Sequence, residues 1–192
     1  MRLPPDERRE LIIESAAELF GSGPYSQVTT TDIAHAAGVA RGLLNHYFSD
    51  KRGLYLEVVR RAVLLPSLED SPPKPTGTSD EKVDTAVSWF LDSIESQAAN
   101  YLSVLETAGS TDDIAPILQQ AEDVAAQRVL QLLGLDVADA HSLAIVRTYG
   151  GMAKATVYEW LRRGTLTREQ AHRLLRDVLL FVTANVLNQV NA

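Results

Sequence analysis

The sequence predicts an all-α protein of about nine helices, and three observations carry that prediction. Apolar residues recur at three- and four-residue spacing through most of the chain, stop and cap signals punctuate those stretches, and neither a strand-like alternation nor an internal repeat appears. With 192 residues, 45% of them hydrophobic, the chain is long enough to bury a substantial core.

Pro4, Pro5 and Asp6 open a first helix whose Leu11, Ile12, Ala16, Leu19 and Phe20 share one face, and Gly21 and Gly23 end it. Thr29, Thr30 or Thr31 caps a short second helix through Ile33, Ala34 and Ala37, which Gly38 stops. A third runs from about Ala40 to Tyr47. Ser49 and Asp50 cap a fourth that carries Leu54, Val58, Val59, Ala62 and Val63 on one side. Between Pro66 and Ser79, Pro72, Pro73, Pro75 and Gly77 cannot sustain a helix and read as a linker or loop. Helical periodicity returns over 80–99 and 113–133, with 100–112 undecided. Two long helices follow, roughly 138–163 and 167–190, the second opened by a Thr167-x-x-Gln170 capping box.

The chain has no cysteine, so disulfides, thiolate zinc sites and cysteine nucleophiles are excluded. No apolar run approaches the roughly 20 residues that cross a bilayer, and the expectation is a cytoplasmic protein without membrane contact. The net charge of -7 argues at first against nucleic acid. Its distribution changes that reading: residues 1–63 hold eight Lys/Arg and eight Asp/Glu, whereas 64–192 hold ten against seventeen. The acidic excess is wholly C-terminal.

The most specific constellation is the run Thr31 to Phe48. Two helices crossing steeply need a small residue at the contact, here Ala34, and one that tolerates left-handed backbone four positions later, here Gly38. Ile33, Ala37, Val39 and Leu44 fill the angle, which turns Arg41, Gly42, Leu43, Asn45 and His46 outward, where they can enter a major groove. An ordinary helical hairpin satisfies the same pattern. The run Gly-Val-x-Arg-Gly-x-Leu-x-x-Tyr-Phe-x-x-Lys, Gly38 to Lys51, further resembles the signature of the tetracycline-repressor (TetR) family, as do Phe20, Gly23 and Thr29 to Ala34.

That resemblance implies an N-terminal three-helix helix-turn-helix domain over 1–50, a connecting helix over 51–66, and a C-terminal helical ligand-binding and dimerisation domain over 67–192. It also implies a homodimer that acts as a transcriptional regulator, a repressor released from a palindromic double-stranded DNA operator by a small effector. No cofactor is implied. Thr30 and Thr31 are then phosphate or base-edge contacts, and Arg41 is the base reader, its fork suited to guanine. Gly42 and Leu43 lie on the same face, and His46, Tyr47 and Lys51 clamp phosphates, although Tyr47 also fits a core role and Phe48 fits one better. The sequence departs from the family pattern at Ala40, Leu43 and Asn45, where serine, a small hydroxyl residue and tyrosine are usual. Asn45 suits adenine and Leu43 a thymine methyl, so these departures point to a different operator.

The last helix is apolar over too wide an arc for one solvated side, through Leu174, Leu175, Val178, Leu179, Phe181 and Val182. The helix before it carries the small residues Ala144, Gly150, Gly151, Ala153 and Ala155. Either the pair meets its symmetry mate through residues 138–190, as in the resembling family, or the core is wholly intramolecular. Family precedent puts Trp89, Phe90, Tyr101, Leu105, Tyr149 and Met152 around an apolar or amphipathic effector, with plain core as the alternative for each. Arg147, His141 or Glu106 then holds the effector's polar end, unless it makes a surface ion pair instead. The histidines are scattered, and neither a phosphate loop nor a nucleophile elbow occurs, which disfavours an enzyme. A dimeric helical protein-interaction module without specific DNA binding is the remaining alternative.

Overall fold

The computed structural model of the protein describes residues 4–65, 77–107 and 113–187, and every regular element among them is helical. They are α1 (Pro5–Ser22), α2 (Thr30–Ala36), α3 (Arg41–Phe48), α4 (Lys51–Val63), α5 (Ser79–Glu95), α6 (Ala98–Thr107), α7 (Ala115–Leu133), α8 (Ala140–Tyr158) and α9 (Arg168–Val182). The last two each continue into one π-helical turn, Glu159–Arg163 and Thr183–Leu187. Most of the expected linker, 66–76, lies outside the described residues, as do 108–112 and 188–192.

The helix expected over 80–99 stops early. α5 ends at Glu95, where the Ser96 amide donates to Asp92 O and the Gln97 amide to Ile94 O, and α6 starts at Ala98. The Ser96 hydroxyl turns back onto Ser93 O at 2.9 Å, a local alternative to continuing the helix.

Two compact units form, one of Met1–Leu64 with Ala99–Ile117, the other of Leu65–Ala98 with Leu118–Ala192. α6 therefore belongs with α1 to α4, although it is remote from them in sequence. In the first unit Ile12, Ile13, Ala16 and Phe20 of α1 are buried with Ile33 and Ala37 of α2, Leu44 and Phe48 of α3, and Leu54, Val58, Val59 and Ala62 of α4. Each large apolar side chain fully buried contributes about 1.5–3 kcal/mol. Along the α1–α4 seam Arg9 pairs with Glu57 at 2.9 Å and Arg61 with Glu10 at 2.6 Å. Half-exposed pairs of this kind contribute at most about 1 kcal/mol each, so the apolar seam holds the helices together and the charges fix their register. Phe20, Tyr25 and Tyr55 complete this unit as an aromatic trio, with ring centroids 4.8–5.6 Å apart.

In the second unit α5 packs against α9. Val83, Val87, Leu91 and Ile94 form the buried stripe of α5, and Ala171, Leu175 and Leu179 that of α9. A polar ladder flanks them: Arg168 pairs with Asp92 and Glu95, His172 Nε2 sits 3.0 Å from Ser88 Oγ, and Arg176 reaches Asp80 at 2.5 Å and Asp84 at 3.2 Å. The rungs run in opposite chain directions, so the two helices are antiparallel. Ala126 and Leu130 of α7, Val146 of α8 and Leu187 close a second core cluster. Arg147 is ion-paired to Asp123 of α7, the surface pair that competes with any ligand role for it.

The chain passes from α3 to α4 through a sharp corner. Ser49 takes a positive φ of 66°, the Asp50 amide donates to Phe48 O at 2.7 Å, and Asp50 caps α4 by accepting from the Gly53 amide at 2.7 Å. A Cβ on Gly53 would lie 2.3 Å from the Phe48 carbonyl oxygen, which is backbone and cannot rotate away. Gly53→Ala is accordingly expected to destabilise the protein by about 1–3 kcal/mol despite alanine's better helix propensity, read as a lowered midpoint in denaturant unfolding at constant slope.

Candidate nucleic-acid interface

The candidate surface is built on three short elements. Thr29 caps α2 in a reciprocal box: its hydroxyl accepts from the Asp32 amide at 3.1 Å, and the Asp32 carboxylate accepts from the Thr29 amide at 2.9 Å and the Thr29 hydroxyl at 2.6 Å. Those bonds hold the Asp32 carboxyl below its ordinary pKa. Of the three candidate threonines, Thr29 is thus the cap. Thr30 is half-buried, and Thr31 is exposed.

The turn that follows is set by Gly38, with φ 62°, and closed by amide bonds from Gly38 to His35 O and from Val39 to Ala34 O. Ala34 and Ala37 are each 5% exposed at the crossing of α2 and α3, as the small-residue argument requires. α3 spans only eight residues and anchors itself through Leu44 and Phe48, which are buried. Phe48 is therefore core. Arg41, Gly42, Asn45 and His46 are exposed, while Leu43 and Tyr47 are half-buried. Among the described residues, no side chain forms an ion pair or hydrogen bond with the Arg41 guanidinium or the Asn45 amide. The Tyr47 ring leans between His46, edge-on at 5.3 Å, and Phe48 at 6.1 Å.

Lys51 opens α4, and its place was not legible in sequence. Its ammonium donates to Tyr25 O at 2.6 Å and lies 4.0 Å from the centre of the Tyr25 ring, so one of its three protons is committed to the α1–α2 loop. Arg52 beside it covers the Tyr25 and Tyr55 rings and grips Asp113 with both arms of its guanidinium, Nε at 2.7 Å from Oδ2. Those bonds raise the Arg52 pKa above its ordinary value. Tyr25 and Arg52 as supports of Lys51 carry no sequence signal, because the three meet only after the α1–α2 loop folds onto α4.

The acids of the first unit are largely occupied. Asp32 and Asp50 serve as caps, and Glu10, Glu14 and Glu57 pair with Arg9, Arg60 and Arg61. A formally neutral segment therefore presents Arg41, Lys51 and polar side chains on the α3 side.

Residues 12–58 match the family model described as bacterial regulatory proteins, tetR family. The chain is 31% identical to the HTH-type transcriptional activator FasR of Mycolicibacterium smegmatis over 137 residues, 70% of this chain and 63% of that protein. It is 23% identical to the HTH-type transcriptional repressor BepR of Brucella suis over 189 residues, 95% of this chain and 80% of the other. A tetR-family transcriptional regulator from Streptomyces coelicolor superposes with a TM-score of 0.73 at 22% identity, covering 95% of this chain and 84% of that one.

Over residues 12–58 the chain is similar to the tetR family, and it spans less than two thirds of FasR. Its fold is that of the family: all-helical, with the helix-turn-helix at the N-terminal end. The matched segment contains all nine residues from Thr30 to Lys51 singled out on the sequence. No helix among the described residues is long and apolar enough to cross a membrane.

The six expected effector-lining residues fall in different units. Trp89, Phe90, Tyr149 and Met152 are half-buried in the second, whereas Tyr101 and Leu105 belong to the first. A shallow concavity of about 450 Å³ lies on the outer face of α9, lined by Gln170, Arg173, Leu174, Asp177, Val178 and Phe181. The Tyr149 hydroxyl donates to Leu175 O at 3.0 Å, and burial raises its pKa.

Two outcomes follow for the first unit. Thr29→Ala removes one side of the α2 capping box and is expected to cost about 0.5–2 kcal/mol, measured by thermal unfolding. Burial pushes the Tyr101 phenol from 10.0 up to about 12, so its neutral form is the folded one. Its contribution is fully present below pH 10 and is lost as pH rises toward 12; stability followed by far-UV dichroism should fall over that window, and less so in Tyr101→Phe.

Proposed function

We propose that this protein is a TetR-type, sequence-specific DNA-binding transcriptional regulator. The observation that carries the reading is the outer face of α3: exposed Arg41, Asn45 and His46 without side-chain hydrogen-bond partners among the described residues, on a helix whose other face is fully anchored. Arg41 reads guanine and Asn45 adenine, each for about 1–3 kcal/mol of discrimination, and Leu43 packs on a thymine methyl. Thr30, Thr31, His46, Tyr47 and Lys51 hold phosphates and set the register. The DNA-reading part comprises 1–50, with 51–66 as connector and 67–192 as the ligand-binding and dimerisation part.

The protein acts as a cytoplasmic homodimer on a palindromic operator. Support comes from α9, where Leu174 is 41% and Phe181 63% exposed beside Val178, and from α8, where the small residues Ala144, Gly151 and Ala155 are also exposed. A second copy covering these faces holds two α3 helices about one helical turn of DNA apart. An apolar or amphipathic effector contacting Trp89, Phe90, Tyr101, Leu105, Tyr149 or Met152 favours a dimer of the wrong spacing and releases the operator, and the protein is read as a repressor.

Selection from random duplex DNA with purified protein tests this reading. An enriched palindrome is expected. Arg41→Ala should lose preference at one guanine in each half-site, whereas Lys51→Ala should weaken all duplexes alike and reduce the salt slope by about one per site. No enrichment at low or moderate salt would overturn the reading and move the exposed α9 face to a protein-interaction role.

A further inference from the structure

Gly42 is a helical glycine that the fold does not require. It is the second residue of α3, it is not among the positive-φ residues, and a Cβ placed on it meets nothing within 4 Å. Gly53 is different, since there the backbone of Phe48 occupies the space a side chain would need. A glycine in a helix interior costs roughly 0.5–1 kcal/mol relative to alanine and less in the first turn, so a helix of only eight residues still carries a burden that nothing in this chain explains.

Its angular position supplies a reason. At about 100° per residue, the buried pair Leu44 and Phe48 defines the inward direction of α3, and Gly42 and His46 fall within about 40° of the opposite, outermost line. Asn45 lies on one flank, with Arg41 further round on the same side at the start of the helix, and Leu43 and Tyr47 lie on the other. A helix with its side chains is about 10–12 Å across, while the major groove is about 12 Å wide and 8.5 Å deep, so the fit leaves little room at the outermost line. Asn45 is short and sits well round from that line. Its amide reaches a base edge only if the helix axis seats deep in the groove.

Resting on the DNA-binding reading above, we propose that Gly42 is the point at which the protein backbone comes closest to duplex DNA. It is a positioning residue: its missing side chain sets the depth of α3 and thereby brings the flanking Arg41 and Asn45 to the bases. A methyl group there lifts the first turn of the helix away from the groove floor and leaves the fold intact.

The test is Gly42→Ala in the full chain, measured against the duplex that wild-type protein enriches and against an unrelated duplex of equal length. The expected result is an affinity for the enriched duplex reduced about tenfold or more, with binding to the unrelated duplex unchanged. The melting temperature should stay level or rise by up to about 4 °C, because alanine is the better helix former. Undiminished affinity for the enriched duplex overturns the proposal, as does a lowered melting temperature, which would make the glycine a requirement of the fold. Parallel losses on both duplexes overturn it too, since they indicate a lost phosphate contact rather than lost depth. A wild-type protein that enriches no duplex removes the DNA-binding reading itself, and the proposal with it.

Discussion

The pressure of Gly53 against the Phe48 carbonyl is the contact on which the candidate DNA-reading surface depends. α3 has eight residues and two buried anchors, too little to hold a direction of its own in water. Its orientation is imposed by its ends. At the start, the left-handed Gly38 and the amide bond from Val39 to Ala34 fix the crossing with α2; at the finish, the first turn of α4 sits directly on the last carbonyls of α3. α4 is in turn tied to α1 by an apolar seam with arginine–glutamate pairs along it. Leu44 and Phe48 are thus turned inward by packing at both ends of the helix, and Arg41, Asn45 and His46 outward as a consequence.

Charge follows the same architecture. A chain of net charge -7 can present a face suited to an anion because five acids of its N-terminal segment, Asp32, Asp50, Glu10, Glu14 and Glu57, already have structural partners. Capping commits Asp32 and Asp50 to backbone amides, and the α1–α4 seam commits Glu10, Glu14 and Glu57 to arginines. Lys51 illustrates the converse: stacked on Tyr25 and bonded to its carbonyl, the ammonium is held in place at the start of α4. A lysine fixed in this way loses less side-chain freedom on meeting a phosphate than one that projects into solvent.

The second unit resolves the wide apolar arc of α9 into two faces. Ala171, Leu175 and Leu179 are buried, and the antiparallel ladder of Arg168, His172 and Arg176 against α5 fixes the register of that packing. Leu174, Val178 and Phe181 form the other face, left open among the described residues.

Periodicity, caps and turn glycines are local, and they made most of the helices, the turn at Gly38, the Thr167 cap and the core role of Phe48 readable from the residues alone. The outward set of α3 followed as well, because a helix with two apolar positions four apart has only one way to face. The sequence could not tell which of three threonines caps α2, since each offers the same hydroxyl and only the backbone geometry selects Thr29. Nor could it place α6, remote in the chain, beside α1 to α4, join Arg52 to Asp113, or seat Lys51 on Tyr25. Those are contacts between residues far apart in sequence, and they are settled by how apolar faces fill space together. Local chemistry thus determined the helices and which residues of α3 face outward; only tertiary packing decided which neighbours hold that face and its cations in position.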